Sequence, residues 1–324
     1  MVRKIIPAFK LEPALKEYIW GGDILKRRYG KRSKLLSVAE SWEVSAHPDG
    51  QSIIASGEYA GLSFGEFVHE YPQLCGNRYD SEKPFPILVK LIDAKEALSV
   101  QVHPNDDYAW RVEGENGKTE MWVILECEED AFIYYGVSKK ITREELAQRI
   151  QDNSLTEILN KRPVKPGDVI FIPAGTIHAI GKGIVLAEIQ QNSNSTYRVF
   201  DYNRKDINGK PRQLHIQKAI DVAELTPPRE CQQGTSEAIE TTGYQYEQLV
   251  KSIWFSVSQL GLGGRFIYTM NGDSFSIFLC TQGIIMLQGE TDAIYLRQGE
   301  SAFIPSSNKG VIMQGTGRGL FISI

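Results

Sequence analysis

The sequence has no CxxC pair, no apolar run near the ~18 residues a membrane-spanning helix needs, and no basic excess. Each absence narrows the function. The four cysteines, Cys75, Cys127, Cys231 and Cys280, are far apart along the chain. That spacing argues against a disulfide framework or a thiolate zinc site, and for a reducing compartment. The opening residues, MVRKIIPAFKLEP, lack the apolar core of a signal peptide. Lys and Arg total 36 against 40 Asp and Glu, a formal charge of −4, so nothing favours a nucleic-acid or membrane-surface partner. Any anionic ligand must be met by a local basic pocket. The expectation is a cytoplasmic protein, and monomer or small homo-oligomer stays open.

What is present reads as short strands bounded by Gly, Pro, Asn and Asp, in a chain of 324 residues that is long enough for two cores. FPILVKLI (85–92), LSVQVHP (98–104), EMWVILEC (120–127) and DVIFIPAG (168–175) are such strands. Helical inserts are expected at 62–71 and from Thr142, where T-x-x-E forms a capping box to Glu145 and Leu146, Ile150, Leu155, Ile158 and Leu159 follow at roughly helical spacing. A third short helix is expected after Pro104, opened by Asn105. ELTPPRECQQGTSEAIETTGY, from 224, is polar and turn-rich and reads as a linker. The expected division is 1–225, a linker at 226–245, and a C-terminal β domain at 246–324.

One phrase occurs twice. KPGDVIFIPAGTIHAIG (165–181) and RQGESAFIPSSNKGVIM (297–313) superpose Gly167 on Gly299, Phe171 on Phe303 and Pro173 on Pro305. Where the first copy has His178, the second has Gly310. This is an internal repeat of one β unit, with chemistry kept in one copy. The frame G-x5-P-x-G-x2-H resembles the second motif of the cupin barrel at Gly167, Pro173, Gly175 and His178. The implied fold is mainly β, two cupin-type, jelly-roll-like barrels with helical inserts in the N-terminal half, the second barrel degenerate.

A single histidine is more often packed than ligating, so companions matter. Gln101 and His103 are two apart on one strand and share a face, as do Lys118 and Glu120. With His178, two imidazoles, one carboxylate and one amide make a set suited to Zn²⁺ or another first-row divalent metal. Such a 2-His-1-carboxylate group also suits Fe(II) oxygen chemistry, although Gln101 as a fourth ligand leaves fewer open positions. A sugar-responsive binding protein without turnover is the alternative outside enzymes.

FPILVKLIDAKEALSVQVHPNDDYA, GKTEMWVIL, IPAGTIHAIGKG, EIQQNSNSTYRVFDYNR and RQLH, with the earlier YIWGG and ESWEVSAHPDG, resemble type I mannose-6-phosphate isomerase in its short bacterial form. The resemblance runs from about residue 5 to 222 and weakens beyond. It implies metal ligation by Gln101, His103, Glu120 and His178, a catalytic role for Arg198, and an active-site lysine at Lys118. It also implies zinc as cofactor, a sugar phosphate as substrate, and conversion of mannose 6-phosphate to fructose 6-phosphate through an enediol. The proton carrier stays open between Lys118, Glu188 and a metal-bound hydroxide. The phosphate contacts stay open too, among the run KRRYGKRSK (26–34), Lys90, Lys95, Arg204, Lys205 and Arg212. His47, His69 and His215 have no partner at metal spacing, and Trp20 and Trp42 read as core or pocket wall.

Overall fold

The computed structural model describes residues 6–205, 209–228, 238–290 and 292–324. Among these residues the chain is mainly β, with strands gathered into sheets of nine, six and five. The six-stranded sheet runs Val169–Ile172, Glu120–Cys127, Ile184–Gln191, Ile87–Ala94, Glu40–Val44, Ala14–Lys16, each pair antiparallel. The five-stranded sheet runs Tyr197–Phe200, Val100–Val102, His178–Ile180, Phe132–Val137, Leu159–Pro163, also antiparallel.

Strands Ile87–Ala94 and Ile184–Gln191 are buried along their whole length, so both faces of the six-stranded sheet are covered. Strand periodicity sorts their side chains. Odd-numbered Val89, Leu91, Met121, Val123, Val185 and Ala187 join a core shared with helix Phe64–Glu70 and the nine-stranded sheet. Phenylalanines tie that core together: Phe64 meets Phe85 at 5.0 Å, Phe85 meets Phe275 at 5.0 Å, and Phe275 meets Phe303 at 5.3 Å. Even-numbered Ile92, Trp122, Ile124 and Leu186 face the five-stranded sheet and pack on its Ile133, Tyr135 and Ile180. The polar residues of the same face, Lys90, Glu120, Glu188 and Gln190, are therefore enclosed between two sheets.

The nine-stranded sheet is built mainly from 239–323, with long strands Ser256–Thr269, Ser276–Gln288 and Gly310–Ser323. Its far edge comes from the other end of the chain: Phe9–Glu12 pairs with Ser301–Ile304 and with Ile53–Ile54. The two copies of the repeated phrase share their geometry. Gly167 and Gly299 take positive φ (92° and 87°) before strands Val169–Ile172 and Ser301–Ile304. His178 and Gly310 each open the next strand.

The three expected helices form at Phe64–Glu70, Asp106–Val112 and Arg143–Gln151. The side chains of Ser63, Asn105 and Thr142 accept from Glu66, Tyr108 and Glu145 backbone N–H groups as N-caps. The third stops earlier than its apolar spacing suggests. Asn153 takes φ 60°, and Leu155–Ile158 continue as a separate 3-10 turn whose Leu155 and Ile158 are nevertheless buried. Short helices Ile24–Arg28 and Ile216–Val222 lack a side-chain cap, and no sequence signal announced them. Of the segment 226–245, residues 229–237, with Cys231, lie outside the described residues. Ile239–Glu240 pair with Tyr244–Lys251, turned by Thr241, whose hydroxyl accepts from Gly243 and Tyr244 N–H groups. The three described cysteines are free thiols, and no helix among the described residues is long and apolar enough to cross a membrane.

Candidate metal centre

Three residues directly opposite one another on neighbouring strands form a row: Arg198 pairs with Gln101, and Gln101 with His178. Opposed residues of an antiparallel pair present their side chains to one face. Here that face looks toward Glu120 of the six-stranded sheet. His178 Nε2 lies 3.4 Å from Glu120 Oε1, and His103 Nε2 lies 3.4 Å from Glu120 Oε2. The ligating atoms of His103, Glu120 and His178 all fall within 4.8 Å of one another, and all three residues are buried. The Gln101 amide nitrogen is 3.4 Å from His178 Nε2, so the amide end reaches the same point.

The outer hydrogen bonds fix which imidazole nitrogens carry protons. His103 Nδ1 lies 2.9 Å from the Ser195 carbonyl and His178 Nδ1 2.8 Å from the Thr176 carbonyl. A carbonyl only accepts, so both Nδ1 atoms donate, and in the neutral ring each Nε2 keeps a lone pair aimed at the carboxylate. Burial, with the Lys118 ammonium adding to it, pushes His103 down to about 3 against the pull of Glu120, and burial pushes His178 down as well. Burial would raise the Glu120 carboxyl, but Lys118 and then His103 hold it well below the usual carboxylate range. The result is lone pairs facing lone pairs: His103 Nε2 and both Glu120 oxygens are buried without a hydrogen-bond partner. Each such orphan costs about 1–3 kcal/mol. A divalent cation satisfies all of them at once, and the donor set of imidazole, carboxylate and amide is one such ions accept.

A cavity of about 280 Å³ adjoins the cluster and is lined by Gln101, Lys118, Glu188, Arg198 and Arg212, with Tyr18 and Trp20 on its wall. Lys118 is buried, its ammonium 3.5 Å from Glu120 Oε2. Arg198 donates from Nε to Ser99 Oγ (3.2 Å) and from NH1 to the Gln213 carbonyl (2.9 Å). Burial, then the neighbouring Arg212, lowers the pKa of Arg198. Glu188 accepts from Trp122 Nε1 at 3.0 Å and lies 3.1 Å from the Lys90 ammonium, which is 3.8 Å from Glu40. Burial pushes the Glu188 carboxyl up, Lys90 opposes the shift, and the Glu120 charge adds to it.

All six residues nominated from the sequence are thus brought to one place. The basic run 26–34 is not among the pocket residues. Lys26 donates to the Leu35 carbonyl, Arg27 pairs with Asp23, Arg28 with Glu126, and buried Lys31 with Glu43. Arg204 and Arg212 both grip Asp201, and only Arg212 also lines the cavity. His47 pairs with Glu115 away from the cavity, His69 is exposed, and Trp42 is buried core. Sequence reasoning missed Ser99, Asn194 and Glu40, and named Lys90 and Glu188 without seeing that they pair. That pairing had a signal: Lys90 and Glu188 each interrupt a largely apolar strand, ILVKLIDA and IVLAEIQQ.

Residues 8–125 match the family model described as phosphomannose isomerase type I, catalytic domain, and residues 245–324 match mannose-6-phosphate isomerase, cupin domain. A mannose-6-phosphate isomerase of Streptococcus mutans is 38% identical over 300 residues, 92% of each chain. A second, of Bacillus subtilis, is 43% identical over 261 residues, 78% of this chain and 79% of the relative. The crystal structure of the mannose 6-phosphate isomerase from Bacillus subtilis superposes with a TM-score of 0.91 at 36% identity, over 98% of this chain and 99% of that one.

Proposed function

The chain belongs to the type I phosphomannose isomerase family, and from that premise we propose how its residues divide the work of the reaction. It interconverts mannose 6-phosphate and fructose 6-phosphate. The observation that carries the assignment of the site is the set of orphaned lone pairs on His103 and Glu120, buried beside a cavity lined by Arg198 and Lys118.

His103, Glu120, His178 and Gln101 would hold one Zn²⁺, Gln101 through its amide. A divalent ion there supplies Lewis-acid stabilisation of negative charge on the sugar oxygens. The chain's own groups do the rest. The aldose must lose a proton from C2 and gain one at C1, while a hydroxyl proton passes from O2 to O1. Lys118 and Glu188 line the cavity and carry these protons. Burial raises the Glu188 carboxyl above its ordinary value, which makes its carboxylate the stronger base. Arg198 remains charged throughout and holds the enediolate oxygen. Arg212, fixed by Asp201, meets the phosphate.

The same proposal extends to architecture and setting. The repeated β unit supports two cupin-type barrels, 1–225 and 246–324, the first metal-binding, with Phe9–Glu12 lent to the sheet of the second. The free thiols suit a cytoplasmic enzyme.

A coupled assay for fructose 6-phosphate formed from mannose 6-phosphate tests the reading. Chelator-treated protein should lose nearly all turnover, and added zinc should restore it. Full activity in protein shown to be metal-free would refute the site.

A further inference from the structure

We infer that Glu115, which lies outside the cavity and contacts none of the metal-binding atoms, sets the metal affinity by locking the segment that orients His103. The inference rests on the metal site described above. His103 is oriented by one hydrogen bond, from Nδ1 to the carbonyl of Ser195. Ser195 belongs to residues 192–196, the crossing from strand Ile184–Gln191 to strand Tyr197–Phe200. The segment lies outside both sheets, so ladder hydrogen bonds do not place that carbonyl. Something else must.

Bonds within the crossing hold part of it, the Ser195 N–H to Ser193 Oγ at 3.2 Å and the Gln190 amide to the Ser193 carbonyl at 2.7 Å, and Glu115 clamps it from outside. One carboxylate oxygen accepts from the Ser195 hydroxyl, and the other from the Asn194 N–H at 3.5 Å. His47 completes the clamp. Its Nδ1 accepts from the Asp49 N–H at 3.1 Å, so Nε2 carries the proton and meets Glu115 Oε2 at 3.4 Å. Asp49 in turn accepts from the Asn194 amide at 2.7 Å. Burial alone would raise the Glu115 carboxyl, but the hydrogen bonds from His47 and Ser195 hold it at about 2, so it is a charged acceptor at neutral pH. Charge-assisted bonds of this kind are the strong ones.

Glu115 also lies on the turn between helix Asp106–Val112 and strand Glu120–Cys127, a few residues before Lys118 and Glu120. One short segment therefore holds the ion from two sides: directly through Glu120, and indirectly from Glu115 through Ser195 to His103. Asn194 and Thr196, on the clamped segment, line the substrate cavity as well. The same clamp keeps that wall in place. Outer-shell groups that orient a ligating histidine typically carry ~10–100-fold of metal affinity.

The test titrates zinc into metal-free wild type, Glu115→Ala, Glu115→Gln, Ser195→Ala and the Glu115→Ala/Ser195→Ala double variant. Glu115→Ala should bind zinc ~10–100-fold more weakly, and Ser195→Ala should also bind it more weakly. The double variant should be no worse than Glu115→Ala alone, because both changes break one contact; a merely structural loss would add. Glu115→Gln should recover only part of the affinity: its amide oxygen still accepts from the Ser195 hydroxyl, but its NH2 faces the Asn194 and His47 N–H donors and the charge is gone. Cobalt(II) bound in place of zinc should show shifted absorption bands in Glu115→Ala, reporting an altered ligand orientation. Unchanged affinity in both single variants, or additive losses in the double, overturns the inference while leaving the metal site intact. If Glu115→Ala does not fold, Ser195→Ala, which removes one oxygen atom, decides alone. Wild type that takes up no zinc removes the metal site itself, and the inference with it.

Discussion

Glu120→Ala should leave the protein folded and without metal. Glu120 supplies the only carboxylate of the cluster and lies 3.4 Å from both imidazole nitrogens, so its loss removes the charge that draws a cation into a buried space. The drop in zinc affinity should exceed the ~10–100-fold that outer-shell changes cost, and turnover should fall to background at ordinary zinc concentrations. Glu120→Gln separates charge from shape. It fills the same volume, so if a cavity were the cause, Gln would rescue. The account expects Gln to fail nearly as badly, because an amide presents half the oxygen and none of the charge. Elemental analysis of both purified variants, beside wild type, reads the outcome, and wild-type metal content in Glu120→Ala would end the assignment.

Arg198→Ala should do the opposite: keep the metal and lose the rate. Arg198 lines the cavity next to Gln101 without reaching the cluster, so zinc content should match wild type. Removing a donor that meets developing negative charge typically costs ~10²–10³ in kcat, and that is the expected fall. Because Arg198 is also tied to Ser99 and Gln213, Arg198→Lys should keep the charge and recover only part of the rate, its ammonium lacking the planar fork. A rise in KM with unchanged kcat would move Arg198 from the transition state to ground-state binding, as a phosphate contact would be.

How far the sequence could be read depended on the distance over which each signal acts. Gln101 with His103, and Lys118 with Glu120, were legible because alternation along a strand is local. The caps of two helices were legible for the same reason: Asn105 and Thr142 each act on a neighbour three residues away. The turn before His178 announced itself through Gly167 and Pro173, and its echo at Gly299 and Pro305 showed the repeat. Residue types alone suggested the four as a set, but spacing gave no sign that Gln101 and Glu120 stand on different sheets that face each other.

Other features depended on register or on loops meeting loops, which spacing does not encode. Lys90 faces Glu188 only because strand Ile87–Ala94 pairs with Ile184–Gln191 in the register that puts them opposite. Phe9–Glu12 closing on Ser301–Ile304 joins the two ends of the chain. Glu115 reaches Ser195 across two irregular segments. The basic run at 26–34 stays out of the cavity for a physical reason as well: Lys26, Arg27, Arg28 and Lys31 are engaged by carbonyls and carboxylates elsewhere, and the cavity's cations are Lys90, Lys118, Arg198 and Arg212.

The most direct test is a crystal of the zinc-loaded protein, with anomalous scattering recorded on either side of the zinc edge. The account expects one strong peak per chain, ~2.0–2.2 Å from His103 Nε2, His178 Nε2 and a Glu120 oxygen, with the Gln101 amide oxygen as the fourth protein contact. A peak bound by other residues, or none at these four in active protein, would contradict it.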